Sequence, residues 1–250
     1  METLVVALVA FLLAGFVKGV VGFGFPILSL AILTLSVGLL DALAIILIPT
    51  FATNVWQGLS GPHLQEILQR MWRYFAVALL FVWLSSGYLA VVNIHWLTAL
   101  LGLVLICFAL SRFIRVEFTI ARNREPLYSL VLGTINGILT GLTGSFMVPS
   151  ILYMQGIGFR GDRLVQAMGV FFALSILTLA LSLGRNELVT MQQAGLSALA
   201  LIPSIIGLVA GRHARRRLDD CRFQQIFLAA VLLLGIYITF RSVVSLRAAF

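Results

Sequence analysis

Gly137-Ile-Leu-Thr-Gly-Leu-Thr-Gly-Ser-Phe-Met-Val-Pro149 interrupts an apolar run of roughly residues 127 to 158, and Gly19-Val-Val-Gly-Phe-Gly-Phe-Pro26 interrupts another of roughly 3 to 39. Each run is too long for one membrane crossing, which takes about 20 residues. Each break combines several glycines with a proline, the residues that most readily end a helix inside an apolar pattern. The breaks occupy matching places, since Ala14-Gly15-Phe16-Val17-Lys18-Gly19 aligns with Leu132-Gly133-Thr134-Ile135-Asn136-Gly137. Each is followed by more glycines, a proline and three further apolar segments. This correspondence predicts a duplication, with a first repeat over residues 1–125 and a second over 126–250, and the polar stretch Arg112 to Glu125 as linker.

The remaining apolar segments fall at roughly 41–59, 72–92, 95–114, 163–183, 188–210 and 224–246. With 61% hydrophobic and 10% charged residues, the chain departs from soluble domains, which run about 45–50% apolar and about 25% charged. It therefore reads as all-α, a polytopic transmembrane helical bundle in a lipid bilayer. The net charge of +8 is carried by arginines in short loops between apolar runs, so it sets membrane orientation rather than nucleic-acid binding. Cys107 and Cys221 show no metal or redox spacing, and His63, His95 and His213 are scattered near loops, so neither metal nor cofactor is expected. The opening METLVVALVAFLLAG lacks the basic n-region of a signal peptide and reads as a retained first membrane segment.

Arginines near span ends favour the cytoplasmic side. The Arg-bearing loops are 60–73, 112–125, 159–163 and 211–222. If all four are cytoplasmic, each half crosses an odd number of times, and the broken element contributes no crossing or two. It is then a helical hairpin or a re-entrant element, and the halves are inverted repeats, an arrangement that places a solute site near the midplane at discontinuous helices. Both termini fall outside, leaving Arg241 and Arg247 on the unfavoured side. Before the third span, PHLQEILQRMWRYF (62–75) has helical amphipathic spacing and is expected on the cytoplasmic surface.

At the paired breaks, AGFVKGVVGFGF (14–25), GILTGLTG (137–144) and FRGDRLVQAMGVFFALSI (159–176) resemble the signatures of the TauE/SafE family, the sulfite exporter or toluene sulfonate uptake permease family. The similarity covers most of the chain. It implies a membrane protein of seven or eight helices that moves sulfite, sulfonates and related organosulfur anions. Two local differences stand out: Ser145-Phe146-Met147-Val148 precede Pro149 where relatives run GLTGxGGP, and Pro26 comes earlier than the proline of relatives.

Lys18 is the single lysine of the chain and interrupts an apolar run. At membrane depth such a charge marks a solute pathway; near a hairpin tip it would snorkel to the interface. Gly19, Gly22 and Gly24, with Gly137, Gly141 and Gly144, would let the backbone unwind and expose amides to a solute, or would let helices pack closely. Asn136, Thr140, Thr143 and Ser145 would hydrogen-bond an oxyanion or satisfy freed carbonyls. In the next segments Asn54 and Gln57 stand out on one helical face, with Gln166 and Ser175 on the corresponding second-half helix. The acids Asp41, Glu66, Glu117, Glu125, Asp162, Glu187, Asp219 and Asp220 all border loops, with Asp41 and Asp162 read as helix caps.

These observations predict a secondary transporter or exporter of a small anion, a sulfur oxyanion or organosulfonate, across the bacterial inner membrane. The substrate-binding residues expected are Lys18, Gly19, Gly22, Gly24, Asn54, Asn136, Gly137, Thr140, Gly141, Thr143, Gly144 and Ser145. No catalytic constellation or nucleotide loop is present, so an enzyme is not expected. The alternative is a non-transporting membrane subunit or scaffold whose glycines serve helix packing. Homo-oligomerisation is left open.

Overall fold

The computed structural model describes the backbone of residues 2–114, 119–215 and 219–248, and the side chains of those residues apart from 2–4, 220, 221 and 248. Glu117 and the side chains of Asp220 and Cys221 lie outside the described residues. The described chain is helical, in the order α1 Glu2–Val21, α2 Phe25–Val37, α3 Leu39–Leu59, α4 Leu64–Ser86, α5 Ile94–Phe113, α6 Glu125–Thr143, α7 Val148–Gly156, α8 Gly161–Arg185, α9 Met191–Arg215 and α10 Asp220–Ala248. Among the described residues, seven helices (α3, α4, α5, α6, α8, α9 and α10) are long and apolar enough to cross a membrane. Their outward side chains include Leu103, Leu181, Ile202, Ile206, Leu233 and Phe240, all exposed. An apolar surface on this scale faces lipid rather than water. The chain is a multi-pass membrane protein.

Both expected interruptions are present. Helix α1 stops at Val21 and α2 starts at Phe25, with Gly22 and Gly24 at φ 87° and 95°. Helix α6 stops at Thr143, where Gly144 at φ 71° closes it by donating its N–H to the Thr140 carbonyl at 2.7 Å, and α7 starts at Val148. Such positive φ values are reached at low cost by glycine alone. At about 1.5 Å per residue, the 13-residue α2 and 9-residue α7 span about 20 and 14 Å, short of the roughly 30 Å apolar layer.

The stretch 62–75 differs from the expectation of a surface helix. It forms the first turns of α4 itself, because nothing in it breaks a helix and its apolar side continues into the span: Ile67, Met71, Tyr74, Ala78, Val82 and Ser85 are buried at spacings of three and four. The arginines of the stretch occupy the other faces.

Contacts divide the chain into two compact units, Met1–Thr50 with Val92–Ile114 and Glu187–Phe250, and Phe51–Val91 with Arg115–Asn186. In the first, α1 packs along α9 and α5 along α10; in the second, α4 packs along α6 and α8. Each unit thus draws helices from both sides of residue 125. Glycines set the α1–α9 and α4–α6 contacts. A Cβ at Gly15 would meet Ser204 and Leu208, and one at Gly19 would meet Leu208 and Arg212; Gly133, Gly137 and Gly141 likewise face Tyr74, Ala78 and Val82. The contact advances by four residues on both helices at each step, so each pair runs parallel, backbone against backbone. This is the small-residue packing that substitutes for hydrophobic association in lipid.

Candidate functional site

Helix α6 carries two stripes. At about 100° per residue, Gly133, Gly137 and Gly141 share one face, which lies on α4, while Ser129, Asn136, Thr140 and Thr143 share the adjoining one. The polar stripe is buried: Asn136, Thr140 and Thr143 are 0% exposed and Ser129 3%. Beyond it, the chain is unwound from Gly144 to Met147, where Thr140 Oγ1 donates to the Ser145 carbonyl at 3.3 Å and Ser145 N–H donates to Thr143 Oγ1 at 3.2 Å. Phe146 then packs on Phe172 of α8 with ring centroids 4.7 Å apart.

The polar stripe is satisfied unevenly. Ser129 Oγ bonds the Glu125 carbonyl and the Tyr153 hydroxyl, each at 2.7 Å, and Thr143 Oγ1 donates to the Leu139 carbonyl at 2.6 Å. By contrast, both side-chain atoms of Asn136 and the Ser145 hydroxyl have no hydrogen-bond partner among the described residues. The same holds for the Ser175 hydroxyl of α8 and the Tyr74 hydroxyl of α4, both 0% exposed. A buried polar group left unpaired costs on the order of 1–3 kcal/mol, and such groups are few in folded proteins. All four residues belong to one compact unit, Ser145 within the unwound segment itself, and a polar guest would satisfy such groups.

The opposite end of this unit gathers charges. The Gly156 carbonyl at the end of α7 accepts from Ile120 N–H at 2.8 Å, Arg163 pairs with Glu66 at 3.1 Å, Arg70 pairs with Glu125 at 2.5 Å, and the His63 N–H donates to Gln166 Oε1 at 2.9 Å. The starts of α4, α6 and α8 and the end of α7 therefore lie together. Loops 60–73 and 159–163 and residues 119–125 share that end.

Other sequence candidates occupy different settings. Gln57 donates to the Val165 carbonyl at 2.7 Å, and Gln166 donates to the carbonyls of Gly58 and Gly61 at 3.0 and 2.9 Å, so both join α3 to α8. Asn54 is 1% exposed in the same compact unit. Asp41 and Asp162 sit in the first turns of α3 and α8, and Asp41 accepts from Gln193 at 2.7 Å.

Lys18, Gly19, Gly22 and Gly24 belong to the other unit. Lys18 is 5% exposed in the last turn of α1, level with Arg212 of α9. Next to it, Phe23 lies edge-on to Phe227 with centroids 6.5 Å apart, Arg112 stands 5.7 Å over Phe23, and Gly24 abuts the Phe227 ring. Close packing accounts for Gly19, Gly137 and Gly141, and turn geometry for Gly22, Gly24 and Gly144. Of the unpaired groups, Ser175 reads in the sequence as a polar position on the second-half helix that corresponds to that of Asn54, and Tyr74 only as part of the amphipathic stretch 62–75. Nothing in spacing foretells that their hydroxyls lack partners.

A family model described as "Sulfite exporter TauE/SafE" matches residues 7–238. No curated protein and no solved structure matches the chain. The matched span takes in both glycine breaks and every helix from α1 into α10, and on that evidence the chain belongs to the sulfite exporter TauE/SafE family.

Proposed function

We propose that the chain is a secondary transporter or exporter of a small anion, a sulfur oxyanion or organosulfonate, across the bacterial cytoplasmic membrane, and that the α6–α7 break holds the solute. The observation that carries this reading is a pair of buried, unpartnered residues on one polar course, Ser145 in the break and Asn136 about two turns before it on α6. Their N–H and O–H donors match the acceptor oxygens of a sulfite or sulfonate group. Asn136 Oδ1 is an acceptor and calls for a donor on the guest, such as the proton of hydrogensulfite or the ammonium of an aminosulfonate. Neutral donors hold an anion without a fixed counter-charge, which lets it leave again. Lys18, Arg112 and Arg212, around the other break, would draw anions to the protein.

Each break is read as a re-entrant hairpin. In the second unit, the Ser129–Tyr153 and Ile120–Gly156 bonds bring the end of α7 back beside the start of α6. In the first, Phe25 at the head of α2 lies 6.0 Å from Phe11 of α1. The exchange of partners, α1 with α9 and α6 with α4, supports two inverted repeats, the first helix of each half packing on the fourth of the other. The arginine-bearing end of the second unit is assigned to the cytoplasm. The second reading, a scaffold, is favoured by the glycine faces alone.

The test is efflux from proteoliposomes loaded with sulfite, thiosulfate or taurine, for the natural chain and for Asn136→Leu. Saturable flux of at least one anion, lost in a folded Asn136→Leu protein, is expected. Absence of flux for all three, or flux indifferent to the substitution, refutes the assignment.

A further inference from the structure

The charged end of the second unit carries an open cavity of about 500 Å³ lined by Glu66, Gln69, Arg70, Trp72, Arg73, Arg122, Glu125, Pro126 and Ser129. Its charges are unevenly matched. Arg70 is held by Glu125 at 2.5 Å, and Glu66 is engaged by Arg163, which is not part of the lining, at 3.1 Å. That leaves Arg73 and Arg122, both exposed, neither of which pairs with a carboxylate among the described residues. Arg73 lies 5.2 Å from the centre of the Trp72 ring, an arrangement that fixes the guanidinium plane and leaves its N–H edge for other oxygens.

We propose that this cavity is a second anion site, distinct from the α6–α7 break, that binds a tetrahedral oxyanion of the phosphate or sulfate type between Arg73 and Arg122. Two paired carboxylates cannot repel an anion as free ones would, and two guanidinium forks match its oxygens geometrically. The chemistry fits two sources. One is an anionic lipid headgroup: Trp72 is 58% exposed and Arg73 stands beside it at the head of a membrane-crossing helix, the position where interfacial aromatics and basic pockets meet lipid phosphates. The other is a free oxyanion on the aqueous side, for which the cavity would be a vestibule. Its lining residue Ser129 begins the polar stripe that continues through Asn136, Thr140 and Thr143.

The experiment uses the full chain in phosphatidylcholine nanodiscs. One arm doses phosphatidylglycerol into the discs and counts retained lipid by native mass spectrometry; the other measures binding of radiolabelled inorganic sulfate by equilibrium dialysis. One saturable site per chain is expected in at least one arm, weakened about tenfold or more in Arg73→Gln/Arg122→Gln, each lost charge-assisted contact being worth about that factor. Arg185→Gln, at the far end of α8, should stay within about twofold. Because neither arginine pairs with a carboxylate among the described residues, the double variant should melt with the natural chain. A variant that melts lower is replaced by Arg73→Lys/Arg122→Lys, expected to keep the charge and lose the forked contact several-fold. Retained phosphatidylglycerol without sulfate binding assigns the headgroup. Sulfate binding that phosphatidylglycerol displaces assigns the shared site, and sulfate binding that it leaves untouched assigns the aqueous anion. Binding in neither arm, or binding unchanged by the double variant, or equally weakened by Arg185→Gln, overturns the proposal. No arm measures transport, so the cavity stands or falls separately from the solute site.

Discussion

Replacing Asn136 with leucine should make the protein more stable and inactive at once. The side chain is 0% exposed, and neither its Nδ2 nor its Oδ1 has a partner among the described residues. Leucine has nearly the same volume and carries no polar atom. Removing two unpaired groups recovers on the order of 1–3 kcal/mol each by the soluble-protein scale. The membrane-embedded reference state finds partners of its own and trims interactions of this kind to about 0.6–2 kcal/mol. The net gain is therefore about 1–4 kcal/mol, or several degrees in melting temperature for a chain of this length. Transport should fall about tenfold or more, since a hydrogen bond to a charged guest is worth about 1.5–3 kcal/mol. Melting in detergent and flux in proteoliposomes are measured on the same preparation. A variant that melts lower and transports normally would refute the reasoning, because Asn136 would then be a satisfied structural residue.

Gly141→Ala places a methyl group against the Val82 carbonyl, the Ser86 N–H and the Ser85 side chain, and should cost about 1–3 kcal/mol; an unchanged melting temperature would contradict the α4–α6 contact. Ser86 and Ser182 share a buried 2.6 Å hydrogen bond, so a double-alanine cycle should give a coupling of about 0.6–1.7 kcal/mol, and zero coupling would separate the ends of α4 and α8. Arg70→Ala strands the Glu125 carboxylate, whose side chain is 12% exposed, and should destabilise by about 1–3 kcal/mol, discounted for the exposure of its partner; adding Glu125→Gln should restore most of the loss. A cysteine at position 18 should react with a charged thiol reagent far more slowly than one at Arg122, since Lys18 is 5% exposed and Arg122 is exposed ahead of the start of α6; equal rates would place position 18 at the surface.

The sequence was most legible where backbone chemistry is special. Gly22, Gly24 and Gly144 take φ values that L side chains avoid, and Pro26 and Pro149 stand in the first turns of α2 and α7, so both interruptions could be read from residue types alone. The head of α4 was misplaced because amphipathic spacing does not say whether a helix lies on a membrane or continues into it; the buried row from Ile67 to Ser85 decides that. Partner choice was not legible. For Gly19, Gly137 and Gly141 close approach was one of two readings open in the sequence, and only the folded chain shows that α1 meets α9 and α6 meets α4. The cavity was equally hidden, because its arginines come from two stretches some fifty residues apart, Arg70 and Arg73 on one and Arg122 on the other. In sequence they read only as orientation signals.

Packing and solute binding are not alternatives for the glycine motifs, and this changes which substitutions distinguish a carrier from a scaffold. The α6 glycines press that helix onto α4, and at about 100° per residue the same rotation turns Asn136, Thr140 and Thr143 into the interior. A methyl group at Gly141 would disturb both the packing and the orientation of the polar stripe, so loss of transport there would be expected under either reading. The unpaired groups behave differently. A scaffold gains nothing from a buried Asn136 amide without a partner, and the cost of leaving it so selects against it. A carrier requires such groups, because a site satisfied by the protein itself has no hydrogen bonds left to offer a guest. The decisive substitutions are thus those that remove an unpaired polar atom at constant volume, Asn136→Leu and Ser145→Ala. Gains in stability paired with loss of flux would identify a carrier, whereas gains in stability with nothing lost would leave the glycines as packing alone.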